Sequence, residues 1–164
     1  MATTQATGVN AVLRDIRISL SELFTGGGRL EPKEELLVEV LFGLLGVLAS
    51  ADSIVTSHEV DFVNALMDEL HLPTRGREIA LDWFERGRKR KLELQPELLR
   101  FNKTFPAGSS ESARLYDALL RLAAADGRVR PRERTFLEEL TLSLGYTKQT
   151  LEGRLRDLGH VTTA

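Results

Sequence analysis

The chain contains no cysteine, which removes disulfides, thiolate zinc sites and cysteine nucleophiles from consideration. That absence is compatible with a reducing cytosol. Net charge is also lacking: the balance is −2, so nothing draws the chain as a whole toward nucleic acid or an anionic membrane. A nucleic-acid partner is therefore not expected. Long apolar runs are missing as well. The richest stretch, Leu36 to Ala51, is interrupted by Glu39 and falls short of the about 20 residues a bilayer span needs. Integral membrane insertion is not expected. Met1 to Val9 is small and polar, without a basic start leading into an apolar segment. A soluble, cytoplasmic protein is the expectation.

Catalytic motifs are equally scarce. His58, His71 and His160 form no metal-ligand spacing with one another, and the neighbours Ser57, His58 and Glu59 point in different directions at a helix start, so no triad is supported. Gly26-Gly27-Gly28 lacks the following Gly-Lys-Ser/Thr of a phosphate loop and reads as a hinge. No dinucleotide fingerprint occurs. A non-enzyme is expected.

What is present is an ordinary globular balance, 42% apolar and 28% charged over 164 residues, enough for one domain with a core. No segment alternates with a period of two, so the prediction is all-α with about eight helices. Residues 1–8 read as a tail. Val9, Val12, Leu13, Ile16, Leu20, Leu23 and Phe24 form one helical stripe, with Ile18 off it, and the glycine hinge closes this element at residue 28. That stripe can dock on its own core, or on a partner groove, a second protomer or a membrane surface.

The main domain is expected over 29–159, followed by a short tail at 160–164. Pro32 suits the first position of a nearly all-apolar, buried helix to about Ala51. Thr56-Ser57-His58-Glu59 reads as a capping box opening the next helix. Pro73-Thr74 starts a helix that ends in the basic run at Arg86 to Lys91. Pro96 starts a short helix through Leu98, Leu99 and Phe101. Ser110 or Glu111 opens a helix to Ala125, Pro131 the next, closed by Gly145, and Thr147 caps the last.

An internal repeat runs through this order. At an offset of 74 residues, from Asp52 to Asp126 and from Glu59 to Glu133, residues 41–72 lie over 115–146. Leu41, Leu45, Leu48, Ala49, Ala51, Asp52, Val55, Glu59, Phe62, Leu66 and Leu70 each meet the same residue in the second copy. Each copy is a helix–acidic loop–helix unit. The Asp can accept turn N–H groups, the Val can plug the seam, and the Glu can bond back to free N–H groups at the positive end of the next helix. Such a duplication favours a pseudo-two-fold pair of hairpins packed face to face.

The segments ALLRLAAADGRVRPRERTFLEEL and GLLGVLASADSIVTSHEVDFVNALMDEL, an apolar helix, an Ala-Asp-Gly loop and a Glu at the next helix start, resemble the tellurite-resistance TerB family. They are similar also to the TerB-like N-terminal domain of the membrane-anchored DjlA-type co-chaperones. The resemblance covers about residues 33–158. The first copy departs from the pattern at Ser53, where Gly is usual. The resemblance implies an all-helical, internally symmetric fold, no catalytic activity, a role in tellurite and general stress resistance, and divalent-metal binding by acidic residues. It does not extend to a J-domain, because no His-Pro-Asp tripeptide occurs.

Two sets of candidate site residues follow. Asp52, Glu59, Asp126 and Glu133 offer the oxygen ligands that Ca²⁺ or Mg²⁺ prefers, although two carboxylates per loop need further donors. Their other reading is turn and helix capping. Arg86, Arg88, Lys89, Arg90 and Lys91 offer contacts to a phosphate or an acidic partner; their other reading is a solvated helix end matched to the dipole. The expected function is a non-enzymatic interaction module with a protein partner in a bacterial stress setting, with a cation-sensing or cation-sequestering role as the alternative. A homo-oligomer is compatible with either.

Overall fold

Glutamate and proline together open two of the helices, and they do so in the same way. In Glu31-Pro32-Lys33-Glu34 and in Arg130-Pro131-Arg132-Glu133, proline takes the first helical position, where it sacrifices no hydrogen bond. The glutamate two residues later turns back and accepts the N–H of the capping residue: Glu34 Oε1 from Glu31 at 3.1 Å, Glu133 Oε1 from Arg130 at 3.0 Å. Both carboxylates are buried by this turn.

These details come from a computed structural model that describes residues 14–18, 20, 24, 29–51, 57–124 and 129–158; at 51 and 57–60 it describes the backbone. In chain order its helices are α1 (Pro32–Ala51), α2 (Ser57–Glu69), α3 (Thr74–Arg88), α4 (Leu94–Thr104), α5 (Ser110–Ala124), α6 (Pro131–Ser143) and α7 (Lys148–Asp157). Residues 14–18 are also helical, and no strand occurs among the described residues. The fold is all-α, as the periodicity predicts.

Helix starts elsewhere use side-chain oxygens. Ser109 Oγ accepts the Ser112 N–H, and Thr147 Oγ1 accepts that of Thr150, both at 3.2 Å. One start differs from expectation. α4 begins at Leu94, not at Pro96, because Leu94, Leu98 and Phe101 form its buried stripe. Pro96 is tolerated at the third position, since the first turn's N–H groups have no intrahelical partners. The same stripe leaves Leu99 outside the core, at 62% exposure.

Helix ends share a second device. At Gly145 the chain turns left-handed with φ 90°, Gly145 N bonds Leu142 O, and Tyr146 N bonds Thr141 O, as the glycine predicts. His71 (φ 52°) ends α2 and Arg90 (φ 59°) ends α3 with the same pair of bonds, although neither is glycine.

α1 is the hub. Leu37, Val38, Val40 to Leu45 and Leu48 are buried, and it packs on α3, α4, α5 and α6. Its contact with α3 is the most extensive among the described helices, and two glycines explain why. A Cβ on Gly46 would lie 2.7 Å from the Arg88 nitrogen and closer still to the Phe84 carbonyl oxygen. A Cβ on Gly87 would lie 2.8 Å from the Val47 nitrogen and closer still to the Gly43 carbonyl oxygen. The two backbones touch.

The duplication is visible in helix bounds. α2 and α6 are both 13 residues long and start 74 apart, His71 lies over Gly145, and Thr74 over Lys148, so the correspondence runs on to the starts of α3 and α7. Each copy is also preceded by a helix held at one equivalent position. Glu69 pairs with Arg17 of the N-terminal segment at 3.3 Å. Its counterpart Ser143 accepts the Asn102 side-chain amide on its carbonyl at 2.9 Å and bonds Gln95 through its hydroxyl. Ile16 and Leu20 have no exposed surface, whereas Ile18 is 60% exposed, so these two residues of the stripe lie on this chain's own core; Val9, Val12, Leu13 and Leu23 lie outside the described residues.

Candidate functional site

The basic run straddles the end of α3. An i, i+3 and i, i+4 register brings acids of the same helix under the bases. Asp82 pairs with Arg86 at 2.9 Å; Glu85 takes a two-pronged contact from Arg88 at 2.9 and 2.7 Å, with Lys89 Nζ at 3.6 Å. The Arg88 bonds hold the Glu85 carboxyl below its ordinary range. Arg90 and Lys91 lie past these acids, beyond the left-handed turn, and neither has an ion pair or hydrogen-bonded side-chain partner among the described residues. The run therefore divides into three cations that share two carboxylates and two cations without a partner among the described residues.

Beside it lies a shallow groove of about 410 Å³, lined by Asp82, Glu85, Arg86, Lys89, Lys91 and Leu92. Leu92 is its apolar component. Trp83 flanks it, half-buried, with the guanidinium carbons of Arg86 and Arg100 at 4.8 and 4.7 Å from its ring centroid. Trp83 is thus a platform for cations, not a member of the fully buried core. Burial works against the charge of Arg100, but Glu39 at 2.6 Å and Glu97 at 3.0 Å outweigh it and raise its pKa.

The acidic loops are described in part. Asp52, Asp126 and the side chain of Glu59 lie outside the described residues. Glu133 is described, and its Oε1 accepts the Arg130 N–H as the first-turn capping reading expects. Val129, the plug of the second loop, packs against the core. Among the described residues, no group of three His, Asp or Glu side chains is placed to hold a metal ion. The geometry does not bring the basic run and the acidic loops into one site in any contact described.

Sequence reasoning missed three features here. The intrahelical pairing of Asp82 and Glu85 with the basic run was available from spacing alone. The free state of Arg90 and Lys91 follows from where the helix stops. The Trp83 platform depends on Arg100, which comes from another helix, and only the fold supplies it.

A duplicated all-α module, with glutamate-capped helix starts at Glu34 and Glu133 and a basic helix end, is the class of protein that these features define. The chain belongs to the TerB family: residues 28–154 match the family described as Tellurite resistance protein TerB. Among curated proteins it is similar to the Co-chaperone protein DjlA of Vibrio parahaemolyticus, 30% identical over 145 residues, covering 85% of this chain and 51% of that protein. It is likewise similar to the Co-chaperone protein DjlA of Vibrio vulnificus, 31% identical over 125 residues, covering 76% of this chain and 43% of that protein. The chain spans about half the length of the curated relatives it matches. No solved structure matches it. No helix among the described residues is long and apolar enough to cross a membrane.

Proposed function

We propose that this chain is a non-enzymatic protein-interaction module acting in a bacterial stress setting, and that the basic end of α3 is its partner contact. The observation that carries this is the pairing of a groove containing Leu92 with two cations, Arg90 and Lys91, that no acid of the described chain neutralises. A partner segment with an apolar side chain and flanking carboxylates fits such a surface. The relatives' name, co-chaperone, supports a protein partner, and the family description supports the stress setting. The absence of a nucleophile–base motif in the sequence supports the non-enzymatic reading.

The test is affinity capture from a bacterial lysate with the wild-type chain and with Arg90→Glu/Lys91→Glu, read by quantitative mass spectrometry. A protein retained by wild type, released by raised salt and lost with the double variant supports the reading. Identical captures by the two chains would remove the basic end from it.

A cation role for the acidic loops is the second reading. Its support is the repeated spacing, which sets one Asp and one Glu on either side of Val55 and of Val129. The capping bond of Glu133 competes with it, because a bound ion would draw on the same carboxylate. Calorimetry with Ca²⁺, Mg²⁺, Mn²⁺ and Zn²⁺ on wild type and Asp126→Ala decides it. No heat and no thermal shift with any ion would sink it.

A further inference from the structure

The N-terminal segment bridges the two copies. Asp15 reaches Arg121, in the last turn of α5, at 3.4 Å, and Arg17 reaches Glu69, the last residue of α2, at 3.3 Å. Successive residues of a helix are turned by about 100°. Asp15 and Arg17 therefore leave on either side of Ile16, one toward each helix. Ile16 and Leu20, four apart and on one face, point between them and have no exposed surface. The segment thus fills a seam with an apolar floor, a basic wall at Arg121 and an acidic wall at Glu69.

The two copies hold their leading helices differently. α4 is anchored by the buried Leu94, Leu98 and Phe101, by Gln95 and Asn102 on Ser143, and by Arg100 on Glu39 of α1 at 2.6 Å. Apart from its buried side chains, the N-terminal segment is held among the described residues by two ion pairs at the surface, and pairs of that kind contribute little. Arg121 also pairs with Asp117 of its own helix, at 2.8 Å, so it keeps a partner when Asp15 leaves. Between the segment and α1 the sequence contains Gly26-Gly27-Gly28, the composition of a linker.

We infer that this segment is the releasable occupant of a helix-binding groove, and that the groove takes a partner's amphipathic helix in its place. The segment itself defines the chemistry of that partner: apolar side chains at i and i+4, an acid just before the first and a base just after it. The charged walls fix the direction in which the helix lies, because a reversed helix sets its base against Arg121 and its acid against Glu69. While Ile16 and Leu20 occupy the groove, they compete with the partner at the ~mM effective concentration of a tethered segment, so the contact is autoinhibitory. The groove shares no residue with the basic end of α3 and stands without the partner proposed there.

Fluorescence anisotropy of a labelled synthetic peptide of residues 9–24, titrated with the full chain, tests this. Leu20→Asp in the chain drives the tethered segment out, and this variant is expected to bind the peptide at least about 10-fold tighter than wild type does. Adding Glu69→Arg to that chain is expected to weaken the peptide roughly 3-fold, and a peptide carrying Arg17→Glu to recover the loss. Circular dichroism is expected to show the Leu20→Asp chain folded, as release of the segment alone requires. Equal binding, or none, by wild type and Leu20→Asp, loss of the fold in Leu20→Asp, or a charge exchange that fails to rescue would each overturn the proposal.

Discussion

Replacing Gly46 by alanine isolates the contact on which the first copy is built. The new Cβ would stand 2.7 Å from the Arg88 nitrogen and 3.0 Å from the Gly87 Cα, with the Phe84 carbonyl oxygen nearer still. All three are backbone atoms, so no rotamer change relieves the overlap. α1 and α3 must separate by about 1 Å, and a gap of that size forfeits roughly a quarter to a half of each dispersion contact across the seam. Overpacking of this kind costs about 1–3 kcal/mol, and the value belongs at the upper end because the seam is the largest among the described helices. Alanine's better helix propensity offsets about 1 kcal/mol. The expected net loss is about 2 kcal/mol, or roughly 4–8 °C in Tm for a chain of this size. Two companion variants fix the sign of the argument. At Gly43 the nearest obstacle is Leu92 Cδ1 at 2.8 Å, the end of a flexible side chain, so Gly43→Ala should fall within about 0.5 kcal/mol of wild type. At Gly153 nothing lies within 4 Å, so Gly153→Ala should stabilise by about 0.5–1 kcal/mol. Urea unfolding followed by circular dichroism measures all three. If Gly46→Ala is as stable as wild type while Gly153→Ala gains, the close approach of α1 and α3 does not exist as described.

Arg90→Gly should stabilise by about 1 kcal/mol, because φ 59° suits glycine and the arginine makes no ion pair to lose; a thermal melt that falls would refute it. The Tyr116 hydroxyl donates to Thr141 Oγ1 at 2.8 Å, since that oxygen's own proton goes to the Leu137 carbonyl at 2.6 Å. Burial raises the Tyr116 pKa above 10.0, against the opposing effect of the nearby Arg154 charge. The folded state therefore keeps the proton longer than the unfolded chain. Its stability is held below about pH 10 and lost as pH rises from there through the folded value. Tyr116→Phe should flatten that alkaline fall in the urea midpoint; an unchanged slope would show that other groups cause it.

The legible parts of this fold are those in which chemistry is local. Pro32, Pro131 and Thr147 open helices where they are expected, and Gly145 closes one, because each acts on backbone groups within a turn of itself. The misread parts involve a choice between local signals and packing. Pro96 looks like a first residue, but the buried stripe of Leu94, Leu98 and Phe101 pulls the helix start two residues earlier. His71 and Arg90 give no local sign of a left-handed turn; the chain needs to reverse after α2 and α3, and tertiary contacts impose the conformation on whatever residue is there. The meeting of Gly46 with Gly87 joins positions on separate helices and has no signature in either segment alone. At the candidate site, the five bases were plain in the sequence. Which of them are free depends on the i, i+3 and i, i+4 acids and on the end of the helix.

The two copies differ most where backbones meet, and this shapes the surface available for recognition. Gly46 of α1 has Leu120 of α5 as its counterpart, a buried side chain that keeps neighbouring backbones apart. Accordingly α1 and α3 pack far more extensively than α5 and α7, although the helix starts correspond. A helix seated backbone to backbone is held in register by overlap that side chains cannot slip past. α3 is thereby fixed along its length up to Arg88, and the chain turns left-handed at Arg90 immediately beyond. Arg90 and Lys91 thus project from a rigid base in spite of their exposure. The second copy gives up this close seat and carries an outward Leu142 where the first has an ion-paired Asp68. Duplication supplied the shared helix bounds and the left-handed turns at His71 and Gly145. Divergence at a few positions then gave one copy a fixed charged end and the other an apolar face.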